Sequence, residues 1–118
     1  MKSKVAFAAL IILAAGSAAE AKSKNEIGYP LGSLGTKAMV SADYSTAEHQ
    51  LLNSQVDPND PARLLNLGHI YAATGRVDDA KSAFGRVLRQ DDLDLILANG
   101  EHMSSHEAAR TSLKALGQ

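Results

Sequence analysis

The stretch Pro61–Leu88, PARLLNLGHIYAATGRVDDAKSAFGRVL, decides the fold of this chain. Its apolar residues recur three and four positions apart on both sides of Gly75, a spacing typical of amphipathic helices. We therefore predict one helix over Pro61–Thr74 and a second over Val77–Arg89. Gly75 should end the first helix, because a glycine in the left-handed conformation often follows a helix. The stretch thus predicts a helix–turn–helix hairpin.

The first of these helices has an expected cap and an unexpected glycine. Asp60 can accept hydrogen bonds from the first turn, and Pro61 suits the first helical position. Gly68 costs about 1 kcal/mol relative to alanine inside a helix. We expect this cost to be offset by a close approach of the second helix, where Ala80 is small and Phe84 fills the space beside the contact.

A weaker copy of the hairpin precedes it by 33 residues. Two helices, Leu31–Ser41 and Ser45–Gln55, are predicted there, and Asp57–Pro61 forms the turn that separates the two copies. The matched positions are Leu31 with Leu64, Leu34-Gly35 with Leu67-Gly68, Ala42-Asp43-Tyr44 with Gly75-Arg76-Val77, Ala47 with Ala80, and Leu51 with Phe84.

The order of large and small residues in Pro61–Asp91 resembles the tetratricopeptide repeat, a helix–turn–helix unit of about 34 residues. The resemblance is weaker over Tyr29–Asp60. It implies an all-α fold, a short antiparallel array of about two such units with a C-terminal capping helix. It also implies a protein that binds other proteins or peptides and is not an enzyme.

The resemblance further implies a binding groove along the first helix of each unit. A clamp for a carboxyl-terminal peptide is not expected, because only Lys37 supplies a positive charge near the groove of the first unit. A mostly apolar segment fits the groove better. The residues implied to line it are Leu65, Asn66, His69, Ala72 and Ala73 in the second unit and Met39 in the first.

The chain after the second unit departs from the repeat. Residues 91–100 contain alternating apolar residues and end in Asn-Gly, which fits either a short helix or an extended stretch. Ser104 and Glu107 then form a capping box. We predict a terminal helix over Ser105–Leu116 that covers the exposed side of the second unit.

The amino terminus has the three parts of a secretory signal peptide. Lys2 and Lys4 precede the apolar run Val5–Ala15, and Ala19-Glu20-Ala21 gives a cleavage site after Ala21. The alternative, a retained anchor, is disfavoured because about 11 apolar residues are too few to cross roughly 30 Å of hydrocarbon. Cleavage leaves 97 residues with 10 basic and 12 acidic side chains, a net charge of −2. We expect a periplasmic or secreted protein with no stable membrane span.

The amino-acid composition excludes several further classes of function. The 118-residue chain is 45% apolar and 4% aromatic, carries a net charge of −1 and contains no cysteine. These values fit small packed helices and give no basic patch for nucleic acid. Disulfides and thiolate chemistry are excluded. No phosphate-binding loop or nucleophile elbow is present, so we expect no catalysis and no cofactor.

A second class of function uses the histidines. His69, His102 and His106 suggest a periplasmic protein that binds a small ligand or a metal. Ser104 starts a helix between the last two, so they do not share one helical turn. The acidic residues 91–101 lack the ligand order and central glycine of a calcium loop. We therefore assign no metal ligands, and the alternative function stays a periplasmic small-ligand or metal-binding protein that uses surface histidines.

The sequence divides into five segments. They are a signal peptide (1–21), a leader (22–27), a degenerate repeat unit (28–60), a repeat unit (61–92), and a connector with a capping helix (93–118). Two units and one helix give a marginal core for 97 residues. Either the capping helix completes this core, or an uncovered apolar face pairs with another copy of the chain or with a protein partner. The expected role is that of an adaptor, assembly or accessory factor of the bacterial cell envelope.

Overall fold

The computed structural model describes residues 13–15, 34–97 and 100–117, and most of these residues are helical. The predicted leader 22–27 and most of the signal peptide lie outside this part of the chain. The elements within it are β1 (Leu13–Ala15), α1 (Thr36–Val40), α2 (Tyr44–Leu52), α3 (Pro61–Ala73), α4 (Val77–Leu88), β2 (Asp94–Leu97), β3 (His102–Ser104) and α5 (Ser105–Ala115).

Helices α3 and α4 form the hairpin that Pro61–Leu88 predicts. The Asp60 carboxylate accepts from the backbone N–H of Ala62 at 2.9 Å and of Arg63 at 3.3 Å, and Pro61 follows as the first helical residue. Gly75 has a φ of 85° after the last turn of α3. Both predicted ends of α3 are therefore confirmed to within one residue, because each depends on local chemistry.

Gly68 allows the close approach of α4. A Cβ at this position would lie 2.5 Å from Cε1 of Phe84, a distance that real side chains do not tolerate. Phe84 and Ala80 are fully buried. The predicted contact is confirmed: the absence of a side chain on α3 makes room for the aromatic ring of α4.

Helices α1 and α2 repeat the α3–α4 turn at an offset of 33 residues. The N–H of Asp43 donates to the carbonyl of Ala38 at 2.8 Å, and the N–H of Arg76 donates to the carbonyl of Tyr71 at 2.7 Å. Ala42 has a φ of 60°, which matches the left-handed Gly75. The internal repeat read from the sequence is therefore also a repeat of backbone geometry.

The helices of this first hairpin are shorter than predicted. Helix α1 begins at Thr36, directly after Gly35 with its non-helical φ of 66°, and residues 31–33 of the predicted helix lie outside the described residues. Helix α2 ends at Leu52, three residues before the predicted end at Gln55.

The chain after α4 contains a small sheet that the all-α prediction did not include. Strand β2 pairs antiparallel with β3, with Leu95 opposite Met103, and pairs antiparallel with β1 on its other edge. Gly100, with a φ of 90°, lies in the turn, where its N–H donates to the carbonyl of Leu97 at 2.9 Å. Of residues 91–100 the structure describes 91–97 and 100, and within them Asp94–Leu97 is extended, which is one of the two predicted alternatives.

The terminal helix α5 matches its prediction closely. The N–H of Glu107 donates to the Ser104 hydroxyl at 3.0 Å, and the helix runs from Ser105 to Ala115. It packs against α3 and α4. Its buried residues Ala108 and Ala109 belong to the same apolar core as Phe84.

Helix α3 lies at the centre of the molecule. Every residue from Pro61 to Ile70 is buried, and the helix contacts α2, α4, α5 and β1. None of the helices in the described part of the chain is both long and apolar enough to span a bilayer.

Candidate interaction surface

Most of the residues expected in a binding groove are interior residues of the folded chain. Leu65 and Asn66 are fully buried, His69 is 1% exposed and Met39 is 3% exposed. The expected groove required this face of α3 to be open. Because α2, α5 and β1 contact α3, and Met39 of α1 packs in the same apolar core, these four side chains are not accessible to a peptide in this conformation.

Two of these residues instead join the two hairpins. The Asn66 side-chain amide donates to the backbone carbonyl of Leu34, just before α1, at 3.0 Å. The His69 ring meets the Tyr44 ring of α2 edge-on, with centroids 6.2 Å apart and planes at 61°. Asn66 through this hydrogen bond and His69 through this ring contact thus join the first hairpin to α3.

Burial also determines the charge of His69. Removal of the ring from water disfavours the imidazolium and lowers the pKa of His69 to about 4. The ring is therefore neutral at pH 7. A neutral imidazole fits the edge-on contact with Tyr44 without a buried charge.

The accessible part of the expected groove is its outer end. Ala73 is exposed and Ala72 is half-buried at the end of α3. Val40, at the matching end of α1, is 66% exposed and is the most exposed large apolar residue among those described. Val40 and Ala73 occupy equivalent positions in the 33-residue repeat. We call these two residues and Ala72 the end surface.

An ion pair that the sequence did not indicate links the hairpins. Arg76, in the α3–α4 turn, donates through Nη2 to Oε1 of Glu48 at 2.6 Å and through Nη1 to Oε2 at 3.1 Å. Its guanidinium carbon lies 4.8 Å from the centroid of the Tyr71 ring. Such stacking and two-pronged pairing suit arginine. Sequence spacing gave no signal for it, because the pair forms only once α2 packs beside the turn.

The ion pair and its surroundings shift two pKa values. The hydrogen bond from Arg76 lowers the pKa of the Glu48 carboxyl below its ordinary value. Partial burial, followed by the nearby Glu48 charge, raises the pKa of the Tyr71 phenol. Glu48 is therefore ionised and Tyr71 is neutral at pH 7. The Glu48 carboxylate thus supplies the negative charge that pairs with Arg76.

The histidines of the alternative function are engaged separately within the chain. His102 Nδ1 lies 2.7 Å from Oδ2 of Asp94, and His106 Nε2 lies 2.7 Å from the carbonyl oxygen of Gln90. His69 lies in the interior. Among residues 34–97 and 100–117, no three His, Cys, Asp or Glu side chains come together as metal ligands would.

A shallow pocket of about 270 Å³ lies between the start of α3 and the chain after α4. Its polar groups largely serve the fold: Asp60 caps α3, Asp57 accepts from the N–H of Asn59, and Arg86 donates to the Asn59 side chain at 2.6 Å. The arrangement offers no nucleophile paired with a base. The lining residues are Asp57, Asn59, Asp60, Pro61, Gln90, Asp91 and Leu93.

Comparisons of the chain with protein-family models, with curated proteins and with solved structures found no match.

Proposed function

We propose that this protein is an exported interaction module of tetratricopeptide type that binds another protein or a peptide. Its role is that of an adaptor, assembly or accessory factor in the bacterial cell envelope, without catalysis. Export follows from the three-part amino terminus, with cleavage after Ala21.

The observation that carries this proposal is the repeated turn. Two helical hairpins 33 residues apart share the same hydrogen bonds and the same left-handed residue, Ala42 in one and Gly75 in the other. Stacked units of one hairpin bury a continuous core and present matching faces to a partner. This geometry supports an interaction role more than an enzymatic one.

The end surface is where we place the partner. Val40 and Ala73 end the first helices of the two hairpins and are exposed, whereas the rest of the expected groove is covered. An exposed apolar side chain at a repeated position suits contact with an apolar segment. The proposed partner therefore contacts both hairpins at once.

Site-specific photo-crosslinking in cells that export the protein tests this placement. A photoreactive amino acid is introduced at Ala73 in one variant and at Val40 in another. We expect both variants to give an adduct with the same partner, identified by mass spectrometry. A second substitution in each variant should remove that adduct. It is Val40→Glu in the variant with the photoreactive group at Ala73, and Ala73→Glu in the variant with the group at Val40.

The matched control places the same reactive group at Thr111, an exposed residue of α5. Equal adducts from Thr111 and Ala73 would show that the end surface is not selective. The absence of adducts from Val40 and Ala73 would contradict the proposed surface. Leu65→Glu is unsuitable here, because Leu65 is fully buried and the change would unfold the core.

A further inference from the structure

Strand β2 is the central strand of the small sheet. Strand β3 occupies one edge, and β1 occupies the other, with Leu13 opposite Leu97 and Ala15 opposite Ile96. Strand β1 also contacts α3. The amino-terminal strand β1 therefore lies beside strand β2 and also contacts the central helix α3.

The two faces of β2 have different surroundings. Leu95 and Leu97 belong to the apolar core formed with the helices. Ile96 points to the opposite face, since side chains alternate along a strand, yet it is only 5% exposed. Its burial is thus separate from the helical core, and β1 is one of the two strands beside it.

Cleavage after Ala21 would remove β1 from the exported chain, because β1 ends at Ala15. Strand β2 would then become an edge with unpaired backbone groups beside Ile96. An exposed apolar edge is a template for pairing with another chain. Proteins use such edges to bind extended peptides by adding them as a strand.

We propose that the processed protein binds an extended apolar segment of a partner chain along β2, in the place that β1 fills before cleavage. This proposal rests on the proposed export and cleavage. It concerns a site different from the end surface, and the partner segment runs antiparallel to β2, as β1 does.

The charges around β2 specify the chemistry of that segment. Because β1 runs from Leu97 towards Ile96, residues that follow the apolar part of the segment approach the start of β2. Asp91 and Asp94 are exposed there, and the Asp94 side chain is 64% exposed although it pairs with His102. The preferred segment therefore has a few apolar residues followed by lysine or arginine.

Fluorescence anisotropy with a labelled peptide tests the proposal. The probe LIILAAGKK carries the sequence of residues 10–16 followed by two lysines. The protein is the processed chain recovered after export, and the full-length chain serves for comparison. We expect the processed chain to bind the probe and the full-length chain not to bind it. Hydrogen exchange of the Ile96 amide should slow when the probe binds, because the Leu97 amide already donates to Glu101 on the other side and amides alternate along a strand.

Matched variants and peptides sharpen the test. The peptide KKGLIILAA has the same composition with its charge at the other end, and we expect it to bind about threefold more weakly. Ile96→Gln should weaken binding of LIILAAGKK about tenfold, because it places a polar side chain under the added strand. Leu52→Gln, at a 51% exposed position of α2, should leave binding unchanged.

Three results would overturn the inference. They are no binding to the processed chain, equal binding to the full-length chain, and protection of amides other than those of β2. Amino-terminal sequencing separates this failure from that of the proposed function. An exported chain that still begins at Met1 contradicts cleavage and with it the β2 site, whereas the end surface is decided by the crosslinking experiment. A chain that begins at Lys22 and does not bind contradicts the β2 site alone.

Discussion

The two helical hairpins have the same turn geometry but differ in the lengths of the helices that flank the turn. In the second hairpin α3 has 13 residues and α4 has 12, whereas in the first α1 has 5 and α2 has 9. The second turn uses Gly75, and the first uses Ala42 at a φ of 60°. An alanine in this region costs about 1–2 kcal/mol.

The difference shows which features of a repeat hold a hairpin together. The second hairpin has a long central helix whose glycine accommodates Phe84. The first has little helix of its own and depends on contacts with α3 through Leu34 and Tyr44. We therefore expect changes in the second hairpin to destabilise the whole fold, and changes at the junction to act on the first hairpin.

The largest expected effect is at the contact between α3 and α4. Gly68→Val should lower the free energy of unfolding by about 3 kcal/mol or more, because its Cβ would overlap the Phe84 ring. Chemical denaturation measures this change. Phe84→Leu in the same chain should recover part of the loss.

Gly85→Ala is the control for the Gly68 prediction. Gly85 also lies in a helix, but a Cβ there would meet only Arg89 Nη1 at 3.8 Å. The change should raise the free energy of unfolding by up to about 1 kcal/mol, since alanine favours helices. Equal effects at Gly68 and Gly85 would mean that Phe84 does not pack on Gly68.

A second prediction concerns the effect of acid on the stability of the junction between the two hairpins. The pKa of His69 is about 4 in the folded chain and about 6.5 when unfolded, so the unfolded state takes up the proton first. The stability is complete above pH 6.5 and falls towards pH 4, by as much as about 3 kcal/mol. His69→Gln should remove this part of the pH dependence.

The exposed His49 provides the comparison for His69. His49→Gln removes a histidine without touching the junction, and it is therefore the matched control for His69→Gln. If both variants lose the same pH dependence, the buried His69 is not its source. Denaturant titrations at a series of pH values between 4 and 7 make this comparison.

A third prediction concerns the left-handed residue of each turn, which is replaced by the residue found in the other turn. Gly75→Ala should cost about 1 kcal/mol from backbone strain alone, because no atom lies within 4 Å of the added Cβ. Ala42→Gly should stabilise the chain or leave it unchanged, since relief of strain is opposed by about 0.5–1 kcal/mol of glycine entropy. Opposite signs from the two changes support a shared turn, and a clear loss from Ala42→Gly speaks against it.

The smallest effect is expected at the ion pair between the hairpins. The pKa of Glu48 is lowered in the folded chain, so its contribution is present above its ordinary value and is lost as the pH falls through the folded value. Glu48→Gln should lower the melting temperature slightly at pH 7, and by progressively less as the pH falls below the ordinary pKa of a glutamate. Arg76→Gln should do the same, and the double variant should lose no more than either single one.

The sequence predicted the features that depend on neighbouring residues. The caps at Asp60 and Ser104 and the left-handed Gly75 all follow from the types of residue found within three positions of a helix end. The contact of Gly68 with Phe84 was also predicted, because a buried glycine in a helix requires a reason. Local chemistry therefore accounts for the second hairpin.

The features that the sequence did not predict depend on contacts between distant segments. Strands β2 and β3 are short, and their pattern fits a helix or an extended chain until they pair. Asn66 and His69 were assigned to an open face of α3, but that face is covered by the first hairpin. A single helix pattern shows which residues share a face and not which element covers it.

The repeated turn is the basis of the proposed function, and NMR spectroscopy of the exported chain tests it most directly. We expect a positive φ at both Ala42 and Gly75, seen as strong intraresidue NOEs from the amide to Hα, and slow hydrogen exchange at the amides of Asp43 and Arg76. A negative φ at Ala42 with fast exchange at Asp43 would contradict it, because the first hairpin would then not repeat the second.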